Sequence, residues 1–457
     1  MFQTIKNAWK TPDLKKKLIF TFFILILYRL GASIAVPYVN PELVGSLASG
    51  SILNFVSLLS GGALANATLF ALSVSPYITA SIVIQLLTIA IPALERMAKD
   101  EDGKKKLSAA TRWVTVLLAI ITSIGYMLLI ERYGWVTYSE YTGFYKFFAR
   151  TTIVVCYCAG ASLIMWLAEK INEFGIGNGI SIILFANIVS RVPSLIVNSL
   201  WPMILGEKIT DNEVVGNLFS EIGWLNLTIG ILLGIFSVVL TLAIIVFIVK
   251  VTNSERRIPI QYAKSVKGRK MYGGQNTNLP IKINMTGVMP IIFANSIVAI
   301  PATIASFLST DNWFTIFVNK WFNYNTWAYL IVFLVLNIAF AYFYTLITFN
   351  PIEVSNNIRN SGGSVPGIRP GRPTSEYITR ILNRITLIGG IFLCLVAGLP
   401  MLINIINVII DSTSTTFAGL AFGGSSLLIV VGVALETIRE LEAQLALRNS
   451  KARGFLS

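Results

Sequence analysis

Residues able to carry covalent or metal chemistry are nearly absent from this sequence. None of its 457 residues is a histidine, which excludes imidazole ligands and imidazole proton shuttles. The three cysteines, Cys156, Cys158 and Cys394, lie in apolar runs. Cys156-Tyr157-Cys158 lacks the two-residue spacer of a redox pair, and all three read as small buried hydrophobes. No Walker A loop or other nucleotide signature occurs, and neither a metal nor a cofactor is expected. What the chain has in quantity is positive charge: 36 Lys and Arg against 22 Asp and Glu, a net +14. In an apolar chain such an excess marks basic loops facing anionic lipid, nucleic acid or an acidic partner.

The elements that must carry these loops are membrane helices. Hydrophobic residues make up 54% of the chain and charged residues 13%, the composition of a polytopic membrane protein. The basic start and the long first apolar run do not read as a cleavable signal peptide. The expected fold is all-α, with ten spans at about 18–36, 69–91, 113–130, 151–168, 180–197, 227–249, 287–308, 326–349, 385–406 and 419–435. Each approaches the ~20 residues a helix needs to cross a bilayer. Span 5 is weakened by Arg191 and Pro193, and span 10 is short and glycine-rich. Around them lie an N-tail (1–17), a charged loop (92–106), two long basic loops (250–283 and 350–384) and a charged tail (436–457). Of all the Lys and Arg, only Arg132, Lys146, Arg150, Arg191, Lys208 and Lys320 fall on the side opposite the termini, with Arg29 inside span 1. By the positive-inside rule both termini and both long basic loops are cytoplasmic. A charge at the depth of Arg29 is expected to face the protein interior with a partner, as a site residue or as a structural charge on backbone carbonyls.

One stretch breaks the pattern. Ser60-Gly61-Gly62-Ala63 separates a short apolar piece, 52–59, from span 2. Glycine loses the most backbone entropy on ordering, so two in a row break a helix. A discontinuous helix at membrane depth is tolerated only where it lines a cavity or is buried in protein. Span 2 also has an echo in span 7: Pro76-Tyr-Ile-Thr-Ala-Ser-Ile82 against Pro290-Ile-Ile-Phe-Ala-Asn-Ser-Ile297. Five spans apart, the two run in opposite directions, as inverted repeats do.

The segments SGGAL, SPYITASIVIQLL, GIGNGISII, NMTGVMPIIFA, PATIA, FNP, VPGIRPG and GGSSLLIVV occur in order through nearly the whole chain. Together they resemble the SecY family, the channel subunits of the bacterial protein translocase, homologous to the alpha subunit of the eukaryotic ER channel. The resemblance implies two inverted five-span halves (18–197 and 227–435), closed at the waist by an apolar ring. Carried over by motif, the ring falls on Val74, Ile78, Ile180, Leu184, Ile292 and Ile429. Residues 74 and 78, like 180 and 184, share a helical face, but periodicity alone reads them as packed core. An apolar constriction excludes water and ions by dewetting. The piece 52–64 resembles the family's plug, with Ser60, Gly61 and Gly62 as its joint. Spans 2 and 7 resemble a lateral gate, where some of Thr79, Gln85, Asn295 and Ser296 are expected to bond across the closed seam at ~0.6–2 kcal/mol each. The loop charges Arg256, Arg257, Lys264, Lys267, Arg269, Lys270, Arg359, Arg369, Arg372 and Arg380 read either as bare positive-inside charge or, by resemblance, as a docking surface. Its partners would be the SecA ATPase motor or the ribosome, a polyanion. The turn in VPGIRPG would present Arg369.

The resemblance further implies the small subunits SecE and SecG, signal peptides and nascent chains as substrate, contact with membrane lipid, and a place in the bacterial cytoplasmic membrane. The function expected is a passive protein-conducting channel, not an enzyme, with energy supplied by a partner. The alternative is an inverted-repeat secondary transporter of a small solute. Ion coupling usually needs an intramembrane carboxylate, and spans 2 to 4 and 6 to 10 contain none. An intramembrane hydrolase would lack both histidine and an acidic pair.

Overall fold

Uncharged runs bounded by charge set the helices. The computed structural model describes residues 2–40, 61–64, 66–132, 134–138, 143–195, 223–262, 265–267, 270–272, 276–308, 312–322, 326–409 and 424–454. Helices α1 (Phe2–Lys10) and α2 (Pro12–Gly31) come first. α3 (Ser75–Ala90) and α4 (Pro92–Lys99) form a rod broken by 107°. Pro92 explains the break, since a residue before proline is pushed out of the helical region and Ile91 is extended. Then follow α5 (Glu101–Arg132), α6 (Phe144–Phe174), α7 (Gly179–Leu195) and α8 (Gly223–Asn253). The second part holds α9 (Met289–Phe307), α10 (Trp313–Trp321), α11 (Trp327–Thr348), α12 (Pro351–Asn360), α13 (Arg372–Ile409) and α14 (Gly424–Gly454). By length and composition four described helices can cross a membrane, or five if the bent pair is one span, against the ten expected. Gly179–Arg191, Val238–Asn253 and Met289–Ala305 are shorter apolar helices.

α5 and α6 form a hairpin pinned at both ends. Arg112 donates to Glu169 at 2.8 Å, and at the far end Glu131 receives Lys146 at 3.1 Å and Arg150 at 2.5 Å. Residues 113–130 and 151–168 between these pairs carry no charge. At ~1.5 Å per residue that interval is roughly 28 Å, close to the ~30 Å hydrocarbon core. The ion pairs therefore sit at the two water boundaries. Helices α2, α3, α5, α6 and α7 pack among themselves, as do α8, α9, α11, α13 and α14; α3 and α5 meet α9, and α7 meets α14. Arg132 at the end of α5 donates to the carbonyl of Leu308, just past α9, at 2.7 Å. α3 instead leads into the start of α5, so α3 and α9 are antiparallel.

The chain is not purely helical. Strands β1 (Glu255–Tyr262), β2 (Ser265–Lys267), β3 (Lys270–Tyr272), β4 (Asn276–Lys282) and β5 (Gly363–Ser364) occupy the two basic loops. One antiparallel sheet has the order β4-β1-β5, with Ile260 opposite Thr277 and Tyr262 opposite Gly363; β2 and β3 pair separately. Ile258, Ile260, Leu279 and Ile281 alternate with other residues at the strand period of two. They cover a small core with Ile358 of α12, Val365, and Ile378 and Leu382 of α13. Reading these loops for charge alone hides that alternation.

Other boundaries differ as well. The stretch 92–106 is helical rather than a loop, supported by a Glu95–Lys99 pair at 2.8 Å one turn apart. α3 starts at Ser75, not at 69, and α13 starts at Arg372, well before 385. The tail continues α14 to Gly454. Arg29 is not buried with a partner; it is exposed in the last turn of α2, where a cation meets the helix's negative end.

Close helix approach rests on missing side chains. A Cβ on Gly160 of α6 would sit 1.9 Å from the carbonyl oxygen of Leu69. One on Gly398 would meet only leucine methyls, of Leu334 at 3.3 Å and Leu330 at 3.7 Å. Gly160→Ala should therefore lower the melting temperature of the purified protein, at an overpacking cost of ~1–3 kcal/mol, while Gly398→Ala stays near the parent. Equal melting temperatures for the two variants would contradict this packing.

Candidate functional site

The six aliphatics of the expected ring come from separate stretches and meet in one apolar cluster. Val74, Ile78, Leu184, Ile292 and Ile429 are each 5% exposed or less, and Ile180 is half-buried. Local structure puts them there. Val74 caps α3 with Pro76 in the first turn, and the Ile78 amide donates to the Val74 carbonyl at 3.0 Å. Val288 caps α9 with Pro290 in the same place, and the Ile292 amide donates to the Val288 carbonyl at 3.3 Å. The two helices thus begin alike and offer an isoleucine four residues from the cap. On α7, Asn172 accepts the Gly179 amide at 2.7 Å and Asn178 accepts that of Ile180 at 3.1 Å, which fixes the start of the helix carrying Ile180 and Leu184.

Val288 joins the same cluster at 2% exposure. Sequence reasoning missed it, although the proline echo read one turn back would have paired it with Val74. A Cβ on Gly432 would lie 2.6 Å from a Val288 methyl, so this glycine lets α14 close on α9.

Ser60 and the piece 52–59 lie outside the described residues. Gly61 and Gly62 have φ of +66° and +88°, the left-handed region. A Cβ on Gly61 would stand 3.0 Å from the Asn187 side chain and 3.2 Å from its Cα. Asn187 is buried one turn beyond Leu184 on α7, and it donates to Ser73 at 3.5 Å. The joint therefore lies directly behind the apolar cluster. Between it and α3 the backbone is irregular but bonded: Val36 donates to Ala67 at 3.0 Å, Leu69 to Ile34 at 2.8 Å, and the Tyr126 hydroxyl to Leu64 at 2.9 Å.

Among the described residues, none of the four polar residues bonds across the α3–α9 seam. Thr79 and Ser296 donate back to the carbonyls of Ser75 and Ile292 on their own helices, the usual habit of short hydroxyls in helices. Gln85 reaches past α9 instead: its carbonyl accepts the Tyr344 hydroxyl of α11 at 2.5 Å, and its amide donates to Ser81 at 3.3 Å. Asn295 is 3% exposed, and its carbonyl oxygen has no partner among the described residues. Phe293 of α9 lies against the Tyr344 ring, with centroids 5.0 Å apart.

The basic residues collect on the sheet unit. Arg256 and Arg257 on β1, Arg359 at the end of α12, Arg369, and Arg372 and Arg380 on α13 are all exposed. Lys267 and Lys270 belong to β2 and β3; Lys264 and Arg269 lie outside the described residues. Val365-Pro366-Gly367-Ile368 is a tight turn closed by Ile368 donating to Val365 at 3.0 Å, with Gly367 at φ +79°. Pro then Gly in the central positions is the type II pattern. Thr374 donates to the Arg369 carbonyl and Ser355 to that of Gly371, both at 2.8 Å, so the backbone carrying Arg369 is held from two sides. A cavity of about 400 Å³ separates the sheet from the apolar cluster, lined among others by Lys282, Asn284, Val288, Leu428, Gly432 and Arg439. Partial burial, with Arg439 nearby, pushes the Lys282 ammonium below its usual range.

A buried aliphatic cluster between antiparallel apolar helices, with a basic sheet at one end, fits a membrane-embedded channel of the protein-conducting class. The fold agrees. A solved structure described as a protein-conducting channel matches with a TM-score of 0.59, over 94% of this chain and 92% of that one, at 16% identity. Sec61 in the canine ribosome–channel complex of the endoplasmic reticulum matches at 0.58 over the same shares, also at 16% identity. The SecY family model matches residues 68–438. The protein translocase subunit SecY of Streptomyces coelicolor is 39% identical over 473 residues, covering 100% of both chains. That of Thermotoga maritima is 39% identical over 465 residues, covering 100% of this chain and 98% of its own. The chain belongs to the SecY family, which selects protein conduction over small-solute transport.

If the Gln85–Tyr344 bond fastens the seam, Gln85→Leu and Tyr344→Phe remove the same ~0.6–2 kcal/mol. Each should speed disulfide formation between cysteines placed across α3 and α9 by a similar factor, and the double variant should add nothing. Additive effects would mean that the two residues act separately.

Proposed function

We propose that this chain forms a passive pore through which unfolded secretory polypeptides cross the cytoplasmic membrane, with ten spans arranged as two inverted five-helix halves. Residues 18–197 and 227–435 make the halves, 1–17 and 436–457 the cytoplasmic tails, and 52–64 a plug hinged at Ser60, Gly61 and Gly62. The observation that carries this reading is the waist. Aliphatics from α3 and α7 of one half and from α9 and α14 of the other meet in one buried cluster. Such a closure sheds water and ions without a polar filter, yet offers an extended chain nothing to bind. The seam between α3 and α9 is the side exit toward lipid for signal peptides and membrane spans.

SecE and SecG complete the complex. The exposed arginines of the sheet unit, with both termini on its side of the membrane, receive the SecA motor or the ribosome. Support for a ribosomal partner is the likeness to Sec61 in its ribosome–channel complex, together with charge suited to phosphate contacts.

Two experiments test this. With Cys156, Cys158 and Cys394 replaced, a cysteine at Ile292 should form a disulfide with a single cysteine in a secretory chain stalled partway through export. Bonding at a lipid-facing control site but not at Ile292 would remove Ile292 from the path. Arg369→Glu should cut motor-driven export at least several-fold without lowering the amount of complex; export at the parental rate would take Arg369 out of the docking surface.

A further inference from the structure

Helix α10 takes no part in the waist, the seam or the basic sheet. It joins α9 to α11 at the end of the bundle away from the sheet, since α9 starts just after β4 and α11 returns to β5. Its nine residues, WFTIFVNKW, are capped by Asn312, which accepts the Phe314 amide at 3.3 Å. One side faces the bundle, with Thr315 and Val318 buried. The other side presents Trp313, Ile316, Phe317 and Trp321, from 41% to 76% exposed. Their spacing of three, four and eight residues places them on one helical face, and the rings of Trp313 and Phe317 stack at 5.8 Å.

A contiguous aromatic face of this kind marks an interaction surface. What covers it follows from its neighbours. α10 packs on α9 and α11, and these helices also expose large apolar side chains, Ile300 and Ile304 on α9 and Trp327, Ile331 and Val335 on α11, as lipid-facing helices do. Its height is fixed too. α10 lies where α9 ends and α11 begins, beside the Arg132–Leu308 contact, and Arg132 follows Glu131 of the Glu131–Lys146–Arg150 cluster at the end of α5. Tryptophan is enriched at that level, where its ring is apolar and its N–H is wet. Nine residues cannot cross a bilayer, but an amphipathic helix of that length can lie in its surface. Lys320, exposed in the last turn, can extend its ammonium to lipid phosphate.

We propose that α10 is an interfacial anchor, lying in the plane of the bilayer with Trp313, Ile316, Phe317 and Trp321 sunk at the headgroup–acyl boundary. The partner is lipid, and the effect is to hold the far end of α9 at headgroup height. The inference rests on the helices crossing a membrane and not on what the channel conducts.

Spin labels test it in the assembled complex. The native cysteines are replaced, and one label is placed at Ile316→Cys or Phe317→Cys, with Lys99→Cys on exposed α4 as the control. The complex is reconstituted in vesicles of phosphatidylethanolamine and phosphatidylglycerol. Both α10 labels should collide several-fold more with oxygen than with a water-soluble nickel chelate, at a depth of ~5–10 Å, while the control shows the reverse. An oxygen-to-nickel ratio matching the control at both sites would put the face in water and overturn the proposal. Shielding from both reagents would overturn it as well, because a protein partner or a second copy would then cover α10.

Discussion

A peptide group at membrane depth has no water to bond, so a non-helical backbone there must find its partners within the protein. The described residues 61–64 and 66–74 are non-helical, and the position of the apolar cluster depends on how they bond. The Ala67 carbonyl accepts from Val36 and the Leu69 amide donates to Ile34, both just past α2, the Leu64 carbonyl accepts the Tyr126 hydroxyl, and turns join Thr68 to Ala63 and Ala71 to Thr68. Gly160 leaves room for the carbonyl of Leu69 against α6. These bonds decide where α3 begins, and so where Val74 and Ile78 stand. Had the helix run on from Leu69, no glycine joint could lie against Asn187 behind the apolar cluster.

The energies differ sharply between the apolar cluster and the α3–α9 seam. Keeping aliphatic side chains from water holds the cluster together, at ~1.5–3 kcal/mol for each fully buried residue. The α3–α9 seam has far less across it. Two of its four polar residues bond their own helices, Gln85 bonds Tyr344 on α11, and the Asn295 acceptor has no partner among the described residues. A buried acceptor without a partner costs about 1–3 kcal/mol, which works against the closed seam. The α5–α6 hairpin beside it is instead pinned by ion pairs at both boundaries. The bundle is thus fastened at its ends and lightly bonded along one seam.

At the basic end the two long loops are one structure. β5 from the second loop adds to β1 from the first, and isoleucines from both fill the core beneath. The basic side chains therefore stand on a folded platform instead of loose chain, and less side-chain and backbone entropy is lost when a polyanionic or acidic surface meets them.

Much of this protein is legible in its sequence. Uncharged runs of helix length and lopsided loop charge give a membrane helix bundle, because transfer into hydrocarbon is a local property that each segment settles for itself. The ordered motifs give the family, and the proline echo finds the matching starts of α3 and α9. The ring residues are legible only through those motifs, since an aliphatic at a waist and one in a core look alike. What only the tertiary structure decided is partner choice. Gln85 meets Tyr344 across 259 residues of chain, Val288 completes the cluster through Gly432 on α14, the two basic loops share a sheet, and Arg29 ends a helix rather than filling its interior. Each alternative partner offers a bond of similar small energy, so the outcome follows from which backbones pack closely enough to meet, and one-dimensional spacing does not contain that.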